Sequence, residues 1–340
     1  MQGGGGPPPT RVSPASAEEA QLRVLITGVN GFAGSHLADL LAPEAGIELW
    51  GAGRGRDDRI AQWRDRLPYR DGDLTDAGFA SDVVAEAAPD RVYHLAGQAF
   101  GPASWDDPWQ TLETNLRSQL NVLRAVSEQG AAARILVVGS IEAHGTVDPA
   151  GLPIVETTPM RPVSPYGVSK AAQDLLGLQY FLSHGLAVVR VRPANHIGPR
   201  QDPAFVVSSF ARQIAEIEAG RRAPVLEVGN LAAERDFTDV RDMVRAYRLA
   251  LEQGEAGEDY VIGSGSPVAV SRVVELLLEA ARVPIEVRPD PARLRPSDNP
   301  VSYCDAAKLR ARTGWEPSVP LAESLADTLD YWRTTIGGGR

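Results

Sequence analysis

The 340-residue chain carries one cysteine, Cys304, which excludes an internal disulfide and any multi-cysteine metal site and fits a reducing compartment. It also lacks any apolar run near the roughly 20 residues a membrane-spanning helix needs, so no membrane partner is expected. Basic charge is not in excess. Against 34 Lys and Arg stand 44 Asp and Glu, a formal net charge of −10, which argues against a nucleic-acid partner. The first twenty residues are rich in Gly, Pro, Ser and Ala and lack the basic start and apolar centre of a secretion signal. Residues 1–20 read as a disordered tail, with a folded body from near Gln21 and a cytoplasmic location. What is present, 43% hydrophobic and 23% charged residues, suffices for a large core in one or two closely joined domains.

Short runs rich in Val, Ile and Leu recur at 22–27, 47–52, 91–96, 134–139 and 186–192, each the signature of a buried parallel strand. Stretches with helical spacing lie between them, such as 109–127 and 166–182. This alternation predicts an α/β fold with a doubly wound parallel sheet of the Rossmann type. After Arg192 the pattern loosens. Helical spacing returns at Val207, Phe210, Ile214 and Ile217, at 241–251, near 271–281 and at 321–331, with short strands at 225–228 and 260–262. The expected division is a dinucleotide-binding domain over 21–190 plus 238–262, and a smaller α/β substrate-binding lobe over 191–237 plus 263–335.

The first strand candidate runs directly into Thr27-Gly28-Val29-Asn30-Gly31-Phe32-Ala33-Gly34 and then an amphipathic stretch. A strand, a glycine turn and a helix present helix N–H groups to a pyrophosphate, and the glycines permit close backbone approach. A glycine turn without nucleotide is the competing reading. The second strand ends in Gly53-Arg54-Gly55-Arg56, where an acid would hold the ribose 2′-hydroxyl of NAD. The nearest acids, Asp57 and Asp58, come late, and Arg54 and Arg56 suit a 2′-phosphate, so NADP(H) is favoured and NAD(H) remains open. Asp73 and Leu74 follow the third-strand region, where Asp73 suits the adenine amine. Leu95, Ala96 and Gly97 would run beneath the pyrophosphate, while His94 fits a ligand contact or a core histidine equally well.

Ser140 stands at the end of the 134–139 strand, on the carboxyl edge where ligands of such sheets bind. In Tyr166-Gly167-Val168-Ser169-Lys170 a phenol and an ammonium share one helix face. A free tyrosine, with a pKa of about 10, is a poor proton donor or acceptor at neutral pH. A lysine one turn on favours the phenolate and can orient a ribose, and the serine can hold a substrate oxygen.

With these motifs in this order, the chain resembles the extended short-chain dehydrogenase/reductase family, whose members act mainly on nucleotide sugars, over nearly everything from Leu22 to Trp332. The resemblance implies that Ser140, Tyr166 and Lys170 are catalytic. It implies a cofactor site of Gly28, Asn30, Gly31, Phe32, Ala33, Gly34, Arg54, Asp73, Leu74, Leu95, Ala96, Gly97 and Asn115, with Tyr166 and Lys170 on the nicotinamide ribose. Asn115 could equally be a polar contact within the helix layer. The segments 195–199, 228–231, 235–240 and 295–298 imply a GDP-sugar: Asn195 near sugar and diphosphate, Asn230 near the base, Arg235 and Arg295 against ribose and phosphate. Surface ion pairing is the plainer reading of each arginine. The implied reaction is reduction of the C4 ketone of GDP-4-keto-6-deoxy-D-mannose to GDP-D-rhamnose, by a homodimer joined through helices near 107–129 and 165–184.

Dehydration of GDP-mannose is the alternative, and a nucleotide-binding sensor or scaffold is the non-enzymatic one. Dehydration needs a further acid and base after the serine. Glu142 occupies the base position, whereas Ile141 cannot transfer a proton. Epimerisation of the cysteine-dependent kind is disfavoured, because Glu142 stands where that cysteine would be. His144 stands where the family usually has tyrosine.

Overall fold

The computed structural model describes residues 21–55, 58–130, 133–293 and 299–338. The chain opens with β1 (Leu22–Thr27), α1 (Phe32–Leu41), β2 (Ile47–Gly53), β3 (Tyr69–Asp71), α2 (Ala77–Ala87) and β4 (Arg91–His94). There follow α3 (Ala103–Asp106), α4 (Pro108–Glu128), β5 (Arg134–Val138), α5 (Pro165–His184) and β6 (Ala187–Pro193). Then come β7 (Asn195–Ile197), α6 (Val206–Glu218), β8 (Val225–Val228), β9 (Glu234–Asp239), α7 (Val240–Gln253) and β10 (Asp259–Ile262). The remainder is β11 (Pro267–Ala269), α8 (Val270–Glu279), β12 (Glu286–Pro289), β13 (Val301–Ser302), α9 (Ala307–Thr313) and α10 (Leu321–Gly337).

Seven strands form one sheet in the order β3-β2-β1-β4-β5-β6-β10, every neighbouring pair parallel. This is a doubly wound sheet, whose strand order reverses between β1 and β4. One face is covered by α1, α7 and α9, which enclose Val24, Leu37, Tyr93, Val189, Met243 and Tyr247. The other is covered by α2, α4 and α5 over Leu25, Val92, Ile135, Val137 and Val188. Alternate residues of each strand therefore serve opposite layers, and both are apolar, which is why the strands read as continuous hydrophobic runs.

A second body of structure lies around α6, α8 and α10, with β9 between β11 and β13, β7 alongside β9, and β8 paired with β12. Its apolar core includes Phe210, Ile214, Leu226, Phe237, Val273, Leu277 and Leu329.

Three local expectations need correction. The run 91–96 is strand only to His94; Leu95 N still donates to Thr27 O at 3.1 Å, and the residues after it lie outside the strand. Strand β9 was not visible to apolar periodicity: its buried Asp236 is fully occupied, accepting hydrogen bonds from Ser264 N (2.8 Å), Ser264 Oγ (2.6 Å) and Gly265 N (3.1 Å). The stretch 263–335 is not confined to the smaller lobe either. Ala306, Leu309 and Trp315 are buried in the core of the large sheet, and Trp315 Nε1 donates to Asp242 O at 3.0 Å. Asp242 in turn accepts from Ser318 N at 2.7 Å and Val319 N at 2.8 Å, stapling that return crossing to α7.

Trp315 is 1% exposed. Trp315→Ala is expected to lower unfolding free energy by about 3–5 kcal/mol, measured by urea denaturation; a loss under about 1 kcal/mol would show that the Trp315 side chain does not contribute to the large core's stability.

Candidate active site

The cofactor end is built by backbones in contact. Gly28 has φ +70°, and a Cβ there would lie 2.8 Å from Ala96 N. A Cβ on Gly34 would collide with Gly28 O, and one on Gly31 would stand 3.0 Å from the same oxygen. The turn is thus packed between α1 and the loop after β4, at the reversal of strand order, and only glycine fits. It ends at Gly31, the N-cap of α1, so the N–H groups of Phe32, Ala33 and Gly34 are first-turn donors with no acidic side chain in that turn. This cradle fits a dinucleotide pyrophosphate.

Around it, Asn30 Nδ2 donates to Arg54 O (2.8 Å), to Gly55 O (3.2 Å) and to Tyr69 Oη (3.1 Å), shaping the loop after β2. Arg54 is exposed and its Nη1 is 3.4 Å from Asp73 Oδ2. Asp73 also accepts from Thr75 N and Oγ1, both at 2.9 Å, and these bonds, the backbone one foremost, hold its carboxyl below the usual range. Leu74 is buried in the layer under α2, with no exposed surface of note for a ligand. Arg56 and Asp57 lie outside the described residues.

His94 is a core histidine by its contacts: Nδ1 is 2.9 Å from Thr27 Oγ1, and burial, reinforced by the Lys170 charge, pushes its pKa down to about 3. Asn115 is fully buried on α4. Its Oδ1 accepts from Gln98 N at 2.7 Å, and its Nδ2 donates to Gln98 O (3.1 Å) and Ser169 Oγ (2.9 Å). It ties the loop after Gly97 to α5.

Helix α5 starts at an N-cap, Ser164, whose Oγ accepts from Gly167 N at 3.0 Å. Tyr166 therefore lies in the first turn, where its own N–H donates to the buried Ser104 Oγ at 3.1 Å. No sequence signal marked Ser104. One turn on, Lys170 Nζ donates to Val138 O at 3.0 Å and lies 5.8 Å from the centre of the Tyr166 ring. Ser140 caps the 3₁₀ turn Ile141–His144, its Oγ accepting from Glu142 N at 3.1 Å, and also hydrogen-bonds the Tyr166 side chain. Strand end, 3₁₀ turn and helix thus bring Ser140, Glu142, Tyr166 and Lys170 together.

The electrostatics differ from the sequence reading in one respect. Lys170 was expected to favour the phenolate, yet the Tyr166 phenol sits well above its ordinary value. Burial is the main cause, the Glu142 charge adds to it, and the Ser140 hydrogen bond opposes both. Burial also pushes Lys170 down to about 8. The phenol is held protonated, as a donor. His144 is buried with Nδ1 3.4 Å from Pro159 O, and burial lowers its pKa.

Of the candidates for the sugar nucleotide, Asn195 and Arg235 stand on the paired strands β7 and β9, Asn195 opposite Phe237. Asn195 is exposed on β7, Asn230 is exposed with Oδ1 accepting from Ala232 N at 3.0 Å, and Arg235 is half-buried on β9 with Nη1 donating to Glu234 O at 2.8 Å. Arg295 lies outside the described residues.

Residues 25–328 match the sequence profile of the family described as GDP-mannose 4,6 dehydratase. The chain belongs to that family. Over 314 residues it is 38% identical to GDP-6-deoxy-D-mannose reductase of Pseudomonas aeruginosa, covering 92% of this chain and 98% of that protein. Its fold superposes on the solved RMD from P. aeruginosa complexed with NADPH with a TM-score of 0.80 at 36% identity, over 92% of this chain and 99% of that one. A Thermus thermophilus UDP-glucose 4-epimerase complexed with NAD gives a TM-score of 0.81 at 34% identity, with the same two coverages. All are extended short-chain dehydrogenase/reductase enzymes in architecture, and among the described residues no helix is long and apolar enough to cross a membrane.

In this family member, a donor phenol beside a lysine near pKa 8 sets the expected pH dependence. Raising the pH through about 8 neutralises Lys170 and removes the charge that stabilises a developing phenolate. Turnover in the reductive direction should fall across that window. Tyr166→Phe should lower it about 10²–10⁴-fold with dinucleotide affinity retained, as read by steady-state kinetics and cofactor fluorescence titration.

Proposed function

We propose that this protein reduces the C4 ketone of GDP-4-keto-6-deoxy-D-mannose to give GDP-D-rhamnose, using NADPH. The observation that carries the reading is the half-buried Tyr166 phenol, held protonated beside Ser140 at the carboxyl edge of the sheet, in a chain 38% identical to a GDP-6-deoxy-D-mannose reductase. When bound, the nicotinamide supplies hydride to C4. Ser140 holds the keto oxygen in line, and Tyr166 donates the proton that this oxygen takes up. Lys170 stabilises the phenolate left behind. Hydride arrival builds charge on that oxygen, so donors already in place act most strongly in the transition state. Burial of Ser140 and Lys170, with Tyr166 half-buried, strengthens their mutual interactions.

The glycine cradle would hold the pyrophosphate, with Asn30, Phe32 and Ala33 lining it and Leu95, Ala96 and Gly97 running beneath. Arg54, exposed at the end of β2, suits the 2′-phosphate of NADP, and Asp73 borders the adenine, with the Leu74 side chain packed away from it in the core. Asn115 acts through the loop it fixes. Asn195, Asn230, Arg235 and Arg295 would take the GDP-sugar, in a lobe over 191–237 and 263–335 with the return at 306–315 excepted. A cytoplasmic homodimer completes the reading. Its support is an apolar face on α4 and α5 presenting Trp109, Leu120, Leu175 and Leu182 to solvent, two of them about 70% exposed at 70% and 69%. A second copy would cover these residues by isologous pairing of the two helices.

Dehydration of GDP-mannose is favoured by one observation, the proximity of Glu142 to Tyr166 that its effect on the phenol reveals. Against it stands Ile141, 1% exposed and unable to transfer a proton.

Incubation with GDP-4-keto-6-deoxymannose and NADPH should consume both, with NMR showing the C4 configuration of GDP-D-rhamnose. Consumption of GDP-mannose by the wild type, abolished in Glu142→Gln, would overturn the reductase reading. Arg54→Ala should weaken NADPH binding more than NADH binding; equal losses would mean that Arg54 does not read the 2′-phosphate. Light scattering should give a dimer at micromolar concentration, and a monomer would refute the α4/α5 interface.

A further inference from the structure

One turn beyond Lys170 on the same face of α5 lies Asp174, 1% exposed, and its carboxylate is the centre of a buried ion cluster. Arg190 Nη1 reaches Asp174 Oδ1 at 2.5 Å, and Arg192 reaches Oδ2 through Nε (2.8 Å) and Oδ1 through Nη2 (3.1 Å). Both arginines come from β6, at the alternate positions that point under α5, and their side chains are 7% and 5% exposed. Asp259, opening β10, closes the set at 2.6 Å from Arg192 Nη2 and 3.6 Å from Arg190 Nη2. Two guanidiniums face two carboxylates, so the formal charges cancel.

The cluster lies against the catalytic elements. A Cβ on Gly139, the residue before Ser140, would sit 3.5 Å from Arg192 Cγ and 3.8 Å from Asp174 Oδ2. A Cβ on Gly177 would sit 3.4 Å from Arg190 Cγ, so glycine lets α5 lie directly on that arginine. Val138, whose carbonyl receives the Lys170 ammonium, is the preceding residue on the same strand. Nothing in the proton transfer itself uses these four residues, yet burying four ions is costly unless their geometry does something further.

We propose that Asp174 is a positioning residue for Lys170: by binding Arg190 and Arg192 it seats α5 on the ends of β5 and β6 and neutralises the guanidiniums beneath the ammonium. Without that carboxylate, two arginines would face one aspartate, and a net positive charge would stand about one helical turn, roughly 6 Å, from a buried cation. The other charged or titratable groups around Lys170 are Tyr166 on its own helix, Glu142 beside Tyr166 on the 3₁₀ turn, His94 at the end of β4 and His196 on β7. Both histidines are pushed down by burial and stay neutral near pH 7, and burial alone accounts for the lowering of Lys170.

The functional consequence rests on the hydride-transfer reading of Lys170, but the test does not. The lysines of this chain are Lys170 and Lys308; Lys308 pairs with Glu258 at 2.7 Å and lies 3.9 Å from Asp259, so it borders the same cluster and its resonance is followed separately. With lysine labelled at Cε, both side chains titrate separately by NMR in the full-length protein. Asp174→Asn should shift the Lys170 midpoint down by about one unit, and Arg192→Gln should shift it up by about one unit. The alkaline limb of turnover should move with it in each variant. A purely structural cluster would shift Lys170 in neither variant, or in the same direction in both, and either result overturns the proposal. If Asp174→Asn does not fold, Arg192→Gln and Arg190→Gln decide it, since each must raise the midpoint. Absence of ketone reduction by the wild type would instead overturn the hydride-transfer reading and leave the titration to decide on Asp174.

Discussion

At the reversal of strand order, backbone meets backbone with no side chain between: Gly28 lies against Ala96, and Gly34 closes on the carbonyl of Gly28. Everything at the site depends on that approach. It brings the first turn of α1 and the loop after β4 together beneath one cradle, and it sets the height at which a dinucleotide would lie above the sheet edge. Thr27 and His94 then cross-link the ends of β1 and β4 by their 2.9 Å contact, so the two walls of the cradle are also joined by side chains.

From there a chain of buried polar contacts leads to the reacting groups. Asn115 links the loop after Gly97 to Ser169 on α5, and Ser104 fixes the backbone of Tyr166. Lys170 hangs from the last carbonyl of β5, one residue before Gly139 and two before Ser140. Each contact is worth little alone. Together they leave Tyr166 and Lys170 few alternative positions, and placement within a few tenths of an ångström is what such chemistry requires. The cofactor helix is also joined to the opposite wall: Phe32 stacks on His196 at 5.8 Å, and Arg200 reaches back from the loop after β7 to Asp39 at 2.6 Å. These two contacts tie α1 to the segment at and just after β7.

Burial does opposite things to the two members of the Tyr–Lys pair. It raises the phenol and lowers the ammonium, because in both cases the charged form loses its solvation. A tyrosine kept protonated suits donation to a ketone oxygen, whereas the lysine is left close enough to neutrality that nearby charge matters. Glu142 contributes through its field on Tyr166, and the apolar Ile141 beside it separates this site from one that must move a second proton.

The large sheet was legible because buried parallel strands are apolar on both faces, and the glycine turn was legible because close backbone approach leaves one residue type. The Tyr166–Lys170 spacing also carried over directly, since helix periodicity alone puts those side chains on one face. Other features could not be read from one dimension. Strand β9 was hidden by carboxylates that its neighbours satisfy, and the return of Ala306–Trp315 to the first core depends on a partner, Asp242, some seventy residues away. The direction in which the fold moves the Tyr166 phenol was not legible for the same reason: sequence supplies the lysine one turn on, but only the fold decides how much water surrounds the phenol and that the Glu142 charge acts on it. Local spacing fixes which groups can meet, and long-range packing fixes the solvation and charge they meet in.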